Sequence, residues 1–242
     1  MPEVLLLAVA ALLVGYAKTS IGGLASISIA IFASVMPARE STAAILVLLI
    51  TGDLVAVWHY RQHADWALLR SLVPTVLPGL ALGAAFLAVV DDTVLRRSIG
   101  VLLLLMAVLQ LVLQWRSPDA TAVGRSRPAT VSTGLAAGFT TMTANAAGAV
   151  MTLYLVARGV GKAQFLGTGA LFFLGVNLCK IPFSAGLGLF NVATLERTAL
   201  LIPLVLLGAW AGLHTARRLT QAGFDRAVLA ATVVAAVALV VR

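Results

Sequence analysis

The sequence predicts an all-α polytopic membrane protein built from two pseudo-symmetric, inverted repeats, each with a broken, re-entrant first segment followed by three spanning helices. Composition is the first observation, since 61% of the 242 residues are hydrophobic, 11% are charged and the mean hydropathy is +1.03. These values exclude an ordinary water-soluble domain. The second observation is that apolar runs alternate with short polar loops, which indicates membrane helices rather than barrel strands. The third is that the order of features in the first half recurs in the second.

The opening segment is an apolar run interrupted by polar and flexible residues. Residues 4–15 and 24–36 carry no charge, whereas the stretch Gly15-Tyr-Ala-Lys-Thr-Ser-Ile-Gly-Gly contains a lysine, a Thr-Ser pair and three glycines. Helices over residues 4–17 and 21–35 would be about 21 and 22 Å long, against about 30 Å for the hydrocarbon core. Together they are too long for one upright span and too short for two. The segment is therefore predicted to re-enter the membrane, with its break in a buried or water-filled place.

The rest of the chain is divided by its polar segments. A second broken apolar run covers residues 129–157, with its break at 140–145. The only extended polar segment, residues 116–128, is predicted to link a first repeat, residues 1–115, to a second, residues 129–242. The predicted spans are residues 41–58 (interrupted by the polar stretch Thr51-Gly52-Asp53), 72–90, 98–115, 163–180, 199–216 and 227–241, with polar or glycine-containing loops at 59–70 and 181–194.

The two halves carry corresponding residues, and internal repeats are sought before a fold is assigned. Three spans and one re-entrant hairpin make an odd number of crossings, so the second copy is predicted to be inverted. Inverted repeats are the usual plan of secondary transporters, whose binding site lies where the two broken elements meet. The corresponding residues are Gly15 and Gly138, Lys18 and Thr141, Asp53 and Asn177, and the motifs Pro74-x4-Gly79-x3-Gly83 and Pro203-x4-Gly208-x3-Gly212.

The two predicted hairpin tips carry groups suited to a small oxyanion. The second arm of each hairpin begins near the tip, where its unpaired backbone N–H groups attract anions. Lys18 adds a positive charge, and an ionisable group at membrane depth normally faces a cavity or a partner. The alternative is that Lys18 snorkels to an interface and the small residues only pack helices. The other candidate substrate-binding residues are Thr19, Ser20, Gly22, Gly23, Thr143, Asn145, Gly148, Asn177 and Lys180.

Three further side chains allow more than one interpretation. Asp53 can be interpreted in two ways. In the first it lies inside the membrane, where it pairs with Lys18 or carries a proton. In the second it lies near the interface, where its solvation costs little free energy. Lys180, one turn after Asn177, either neutralises a substrate or snorkels at a helix end. His59 either assists proton coupling or is a plain interfacial histidine. Asp53 and His59 are the two candidates for proton coupling.

Several classes of function are excluded by the same residues. The net charge of +8 lies mostly in loops, where it favours phospholipid headgroups and not nucleic acid. The three histidines form no metal-ligand set, and no cofactor is expected. Asp53 is the only acidic residue well inside an apolar run, so a membrane-embedded enzyme is not expected either. A cation or metal permease is the alternative if Asp53 rather than Lys18 faces the cavity.

Both halves also carry residues typical of a known family. They are Gly15-x2-Lys18-x3-Gly22-Gly23, Thr143-Ala-Asn-Ala-Ala-Gly148, Gly167-Thr-Gly169 and Phe172-Phe173-x3-Asn177-x2-Lys180-x-Pro182-Phe183. From about residue 4 to residue 241 the chain resembles the sulfite exporter TauE/SafE family of membrane permeases. The resemblance implies a multi-pass protein of the bacterial inner membrane that transports small sulfur-containing anions such as sulfite, thiosulfate or organosulfonates. Its partners would be that anion and the lipid bilayer, with proton coupling and a homodimer left open.

Overall fold

The protein is helical throughout the part of the chain that the structure describes. A computed structural model describes residues 2–20, 24–115 and 126–218, and the all-α class predicted from the sequence is confirmed. In order, its elements are α1 Pro2–Thr19, α2 Ala25–Val35, α3 Ala38–Tyr60, the short 3-10 helix Arg61–His63, α4 Trp66–Val89, α5 Asp92–Trp115, α6 Arg127–Ala144, α7 Ala147–Ala157, α8 Lys162–Gly186, α9 Val192–Ala199 and α10 Ile202–Arg218.

Several of these helices are suited to crossing a membrane. Within the described residues, three are long and apolar enough to span it, namely Ala38–His63, Trp66–Val89 and Lys162–Gly186. A fourth span results if α9 and α10, which meet at 45°, are counted as one. These helices are consistent with the predicted polytopic membrane protein. The span predicted at residues 227–241 lies outside the described part.

Both broken runs form helical hairpins. The Ser28 hydroxyl of α2 donates a hydrogen bond to the Ala10 carbonyl of α1 at 2.9 Å, although a straight helix would separate these residues by about 27 Å. In the second run, the Thr130 hydroxyl of α6 lies 2.8 Å from the Tyr154 hydroxyl of α7. Each second helix therefore folds back along the first, and the hairpin tips lie where α1 gives way to α2 and where α6 gives way to α7.

The second tip is built around a left-handed residue. Asn145 has φ 51°, a conformation in which asparagine is one of the few favoured side chains. Its N–H donates to the Thr141 carbonyl at 3.0 Å, and the N–H of Ala146 donates to the Thr140 carbonyl at 3.1 Å. These bonds end α6 cleanly at Ala144, so the predicted break at residues 140–145 is one turn too early.

Other boundaries also differ from those predicted. α3 is continuous through Thr51-Gly52-Asp53, because a helix tolerates isolated polar residues that face protein. The loop predicted at 59–70 shortens to a few residues, since Asp65 accepts a hydrogen bond from the Leu68 N–H at 2.9 Å and starts α4 at Trp66. The loop predicted at 181–194 is wrong in its first part, because α8 continues through Pro182 to Gly186.

Glycines allow two pairs of helices to pack with their backbones in contact. A Cβ atom added to Gly15 of α1 would lie 1.9 Å from the Val205 carbonyl oxygen of α10. One added to Gly138 of α6 would lie 2.3 Å from the Val76 carbonyl oxygen of α4. Backbone cannot yield as a flexible side chain can, so these contacts require glycine. They hold the two hairpins against α10 and α4.

Replacing Gly138 by alanine should destabilise the protein, by about 1–3 kcal/mol or more, because the added methyl group overpacks the contact between α6 and α4. Gly175→Ala is the matched control, since nothing lies within 4 Å of a Cβ at that position in α8. That variant should be neutral or slightly stabilised, because alanine favours a helix over glycine. Thermal unfolding in detergent measures both. Equal melting temperatures for the two variants would contradict the close contact.

Candidate functional site

A cavity of about 70 Å³ lies between the two hairpin tips. Lys18, Ser20 and Ala25 line it from the first hairpin, and Asn145 and Gly148 line it from the second. A water molecule needs about 10–15 Å³ of such volume, so the cavity has room for about five water-sized groups. A sulfite ion has four non-hydrogen atoms. The cavity therefore matches a small ion in size and is too small for a nucleotide or a peptide.

The Lys18 amine is paired inside this cavity. Its Nζ lies 2.7 Å from Oδ1 of Asp53 in α3, and the Asp53 side chain is fully buried while that of Lys18 is 10% exposed. The amine also lies 4.6 Å from the centre of the Phe173 ring in α8, an attractive cation–π distance. Lys18 therefore does not snorkel to an interface. Its charge is shared with a carboxylate rather than offered freely to the cavity.

Asp53 also joins the two halves of the chain. Its Oδ2 accepts a hydrogen bond at 2.7 Å from Nδ2 of Asn177 in α8. Asp53 thus lies deep in the protein, on the cavity wall, between an amine from α1 and an amide from α8. The interpretation in which it lies near the membrane interface is wrong. A carboxylate in such a place is stable only while both partners remain.

Lys180 is buried as well, and it holds the second tip. Its side chain is 1% exposed and its amine donates a hydrogen bond to Oδ1 of Asn145. The Nδ2 of Asn145 donates to the Thr42 carbonyl of α3 at 3.3 Å. The prediction that Lys180 snorkels at a helix end is wrong, because α8 continues beyond it to Gly186. Lys180 lies behind the cavity wall and adds positive charge through Asn145.

Two helix N-termini open onto the cavity. α2 begins at Ala25 and α7 begins at Ala147, and the residues before them, Leu24 and Ala146, make no side-chain capping hydrogen bond. The first-turn N–H groups of a helix have no acceptor within the helix. Together with the helix dipole, they favour a negative charge at this end. Ala25 and Gly148 of these first turns line the cavity, so its walls are electropositive on both sides.

The structure brings some of the predicted residues to the cavity and leaves others away from it. Lys18, Ser20, Asn145, Gly148 and Asn177 line it together with Asp53. Gly22 and Gly23 lie outside the described residues.

Three predicted residues are engaged elsewhere. The Thr19 hydroxyl donates to the Ala209 carbonyl of α10 at 2.9 Å, and the Thr143 hydroxyl donates to the Phe139 carbonyl of its own helix at 2.8 Å. His59 is exposed at the end of α3, where its Nε2 lies 3.3 Å from the guanidinium of Arg217. Proton coupling through His59 would have to operate away from the cavity.

Sequence reasoning missed one whole face of α8. Phe165, Gly169 and Phe173 line the cavity together with Asn177, and residues four apart lie on the same side of a helix. Counting back from Asn177 in steps of four residues along the predicted helix would have identified Phe165, Gly169 and Phe173. Thr141 also lines the cavity, and its alignment with Lys18 in the repeat was the available signal.

The site has no evident place for a metal ion. Over residues 2–20, 24–115 and 126–218, no group of three or more histidine, cysteine, aspartate or glutamate side chains could hold one.

Comparison with known proteins agrees with this architecture. A family model described as "Sulfite exporter TauE/SafE" matches residues 7–239, nearly the whole chain. No curated protein and no solved structure matches the chain. The family is one of membrane transporters and not of enzymes, and the apolar helices fit a multi-pass membrane protein. From the extent of this match, the chain belongs to the sulfite exporter TauE/SafE family.

Proposed function

We propose that the protein carries a small sulfur-containing oxyanion, such as sulfite, thiosulfate or an organosulfonate, across the bacterial inner membrane. The anion binds in the cavity between the two hairpin tips. The observation that carries this proposal is that the first turns of α2 and α7 and the Lys18 side chain line one small cavity. Electropositive helix ends meeting inside a membrane protein are a recurrent way of holding an anionic substrate.

The ligands follow from the groups that remain available on the cavity wall. Lys18 supplies charge, and the N–H groups at the start of α2 and α7 supply donors. The Ser20 hydroxyl also lies on the wall but donates to the Tyr16 carbonyl of α1 at 2.9 Å. Asn145 has both side-chain atoms engaged by Lys180 and Thr42, so it positions the second tip. Desolvating an anion is costly, and several donors together are needed to offset that cost.

The transport mechanism we propose uses two inverted repeats, residues 1–115 and 129–242, joined by residues 116–128. Equivalent contacts support it, because the contact of Gly15 with Val205 recurs as that of Gly138 with Val76. The reciprocal pairs recur too, since a Cβ on Gly208 would meet the Leu12 carbonyl at 2.0 Å and one on Gly79 would meet the Leu135 carbonyl at 2.4 Å. Alternating access then results from the two halves rocking about the site.

A plug in the cavity tests the proposal. Gly169 lies on the cavity wall, and only the Phe173 ring, at 3.8 Å, is within reach of a Cβ there. Gly169→Leu adds four carbon atoms, as many non-hydrogen atoms as sulfite has, and should abolish anion binding without unfolding the protein. Thermal stabilisation by thiosulfate measures binding, since a ligand present at 100 times its Kd stabilises by about 2.7 kcal/mol.

Gly175→Leu is the control for this experiment. It lies on the same helix, and a Cβ at that position meets nothing within 4 Å. This variant should bind thiosulfate as the unmodified protein does. Undiminished stabilisation of Gly169→Leu by thiosulfate would place the anion elsewhere.

A cation permease is the second candidate, because Asp53 lines the cavity beside Lys18. The same thermal measurement separates the two candidates. Stabilisation by thiosulfate or a sulfonate supports the anion carrier, whereas stabilisation by divalent cations with no response to anions supports the alternative.

A further inference from the structure

The Lys18 amine, which would bind the anion, already has a negatively charged partner in the cavity. The Lys18 amine lies 2.7 Å from Oδ1 of Asp53, so Asp53 occupies the position beside Lys18 that a bound oxyanion needs. Two like charges about 4 Å apart repel by about 4 kcal/mol at an effective dielectric constant of about 20. An anion and an ionised Asp53 therefore compete for the same amine.

We infer that Asp53 takes up one proton when the anion binds, and that this exchange couples one proton to each anion transported. The inference rests on the proposed function, since it describes the regulation of the same site. The carboxylate acts as a tethered counter-ion that holds the site closed to anions until it is neutralised.

The chemistry of the exchange is a simple protonation. A proton taken up from the bulk solution binds Oδ1 of Asp53 and converts the carboxylate to a carboxylic acid. Oδ2 keeps its hydrogen bond from Asn177, so the acid stays in place. The Lys18 amine loses its charged partner and binds the anion instead.

The charges near the site favour this stoichiometry. Among the described residues, the charged groups that face Asp53 are Lys18 on α1 and Lys180 on α8. With Asp53 ionised these three groups sum to one positive charge, and binding one proton with one monovalent anion leaves that sum unchanged. A divalent anion with one proton brings the sum to zero. Neither exchange adds a net charge of larger magnitude to this buried place, which would be costly.

A proton suits Asp53 better than a metal cation does. A proton needs one oxygen atom, whereas a metal cation needs several oxygen ligands. Asp53 is the sole carboxylate among the described residues lining the cavity, and Asn177 already occupies its second oxygen. A metal cation would find this single carboxylate beside the positive charge of Lys18, 2.7 Å away.

The test measures protons and anions together in the purified full-length protein. Thiosulfate and 2-hydroxyethanesulfonate are the probes, because their own charge does not change across the neutral pH range. Their affinity should fall by up to about tenfold for each unit of rising pH, the limit for one linked proton. A pH indicator in weakly buffered solution should record about one proton taken up per anion bound.

Asp53→Asn should remove both effects. The amide cannot take up a proton, so anion binding should become independent of pH and proceed without proton uptake. Asp91→Asn is the matched control, since Asp91 only caps the start of α5 at the surface, and it should behave as the unmodified protein does.

The possible outcomes separate the inference from the function on which it rests. Anion binding by the unmodified protein without proton uptake would overturn the inference and leave the proposed function standing, and this result needs no variant to fold. Uptake into proteoliposomes driven by a sodium gradient but not by a proton gradient would overturn it as well. If neither probe binds or is transported, the proposed function itself fails.

Discussion

Lys18→Met should abolish anion transport and also destabilise the fold by about 3–5 kcal/mol, because it leaves the buried Asp53 carboxylate without its charged partner. Asp53 is fully buried and 2.7 Å from the amine that the substitution removes. Loss of transport follows because no other amine lines the cavity in the described chain. Denaturant unfolding and thiosulfate uptake into proteoliposomes measure the two effects.

A double variant separates stability from transport. Lys18→Met combined with Asp53→Asn removes both charges, so most of the lost stability should return. Transport should stay absent, since the cation that binds the anion is still missing. If the double variant transported thiosulfate at the normal rate, Lys18 would have no part in the site.

Lys180→Met is expected to lower anion transport at least tenfold while keeping or raising stability. The Lys180 amine is buried and donates to the neutral Asn145 amide, and within the described residues no carboxylate lies within salt-bridge distance of it. A buried charge without a charged partner costs free energy, so its removal should raise the Tm by about 2–4 °C for each kcal/mol regained.

The size of the transport effect follows from the charge. A tenfold loss corresponds to about 1.4 kcal/mol of binding free energy, which a unit charge supplies to a monovalent anion up to about 12 Å away at an effective dielectric constant of about 20. Lys162→Met, at the start of the same helix, should change transport less than twofold and controls for the substitution. A Lys180→Met protein that transports normally but unfolds readily would show that Lys180 is merely structural.

Much of the architecture could be predicted because each element carries its own signal. The apolar runs at residues 41–58, 72–90 and 163–180 gave three helices suited to span a membrane. The combination of glycines, hydroxyls and a lysine gave the first hairpin. Segment length alone indicated that each broken run folds back, and the hydrogen bond between Ser28 and Ala10 shows that the first one does. These are local properties, in which neighbours in sequence decide the structure.

The details of the site were less predictable because they depend on contacts between distant residues. Snorkelling of Lys180 at a helix end was one of two open interpretations, and it followed from placing the end of α8 too early. Thr19 and Thr143 were counted as donors to an anion, yet short hydroxyl side chains in helices often bond to a carbonyl of the preceding turn. The pairing of Lys18 with Asp53 was one of several open interpretations, and nothing in the spacing of the two residues chooses between them.

The hydrogen bond between Asp53 and Asn177 has a geometric consequence. These two residues correspond to each other in the proposed duplication, and equivalent positions that touch must lie on the rotation axis relating the copies. In the proposed duplication every helix has a counterpart in the other half. A point on the rotation axis coincides with its own counterpart, so it occurs once per chain. Because one of these two equivalent residues is an aspartate and the other an asparagine, their contact contains a single carboxyl group that can take up a proton. Each chain should therefore hold a single anion site, and the binding stoichiometry should be one anion per chain.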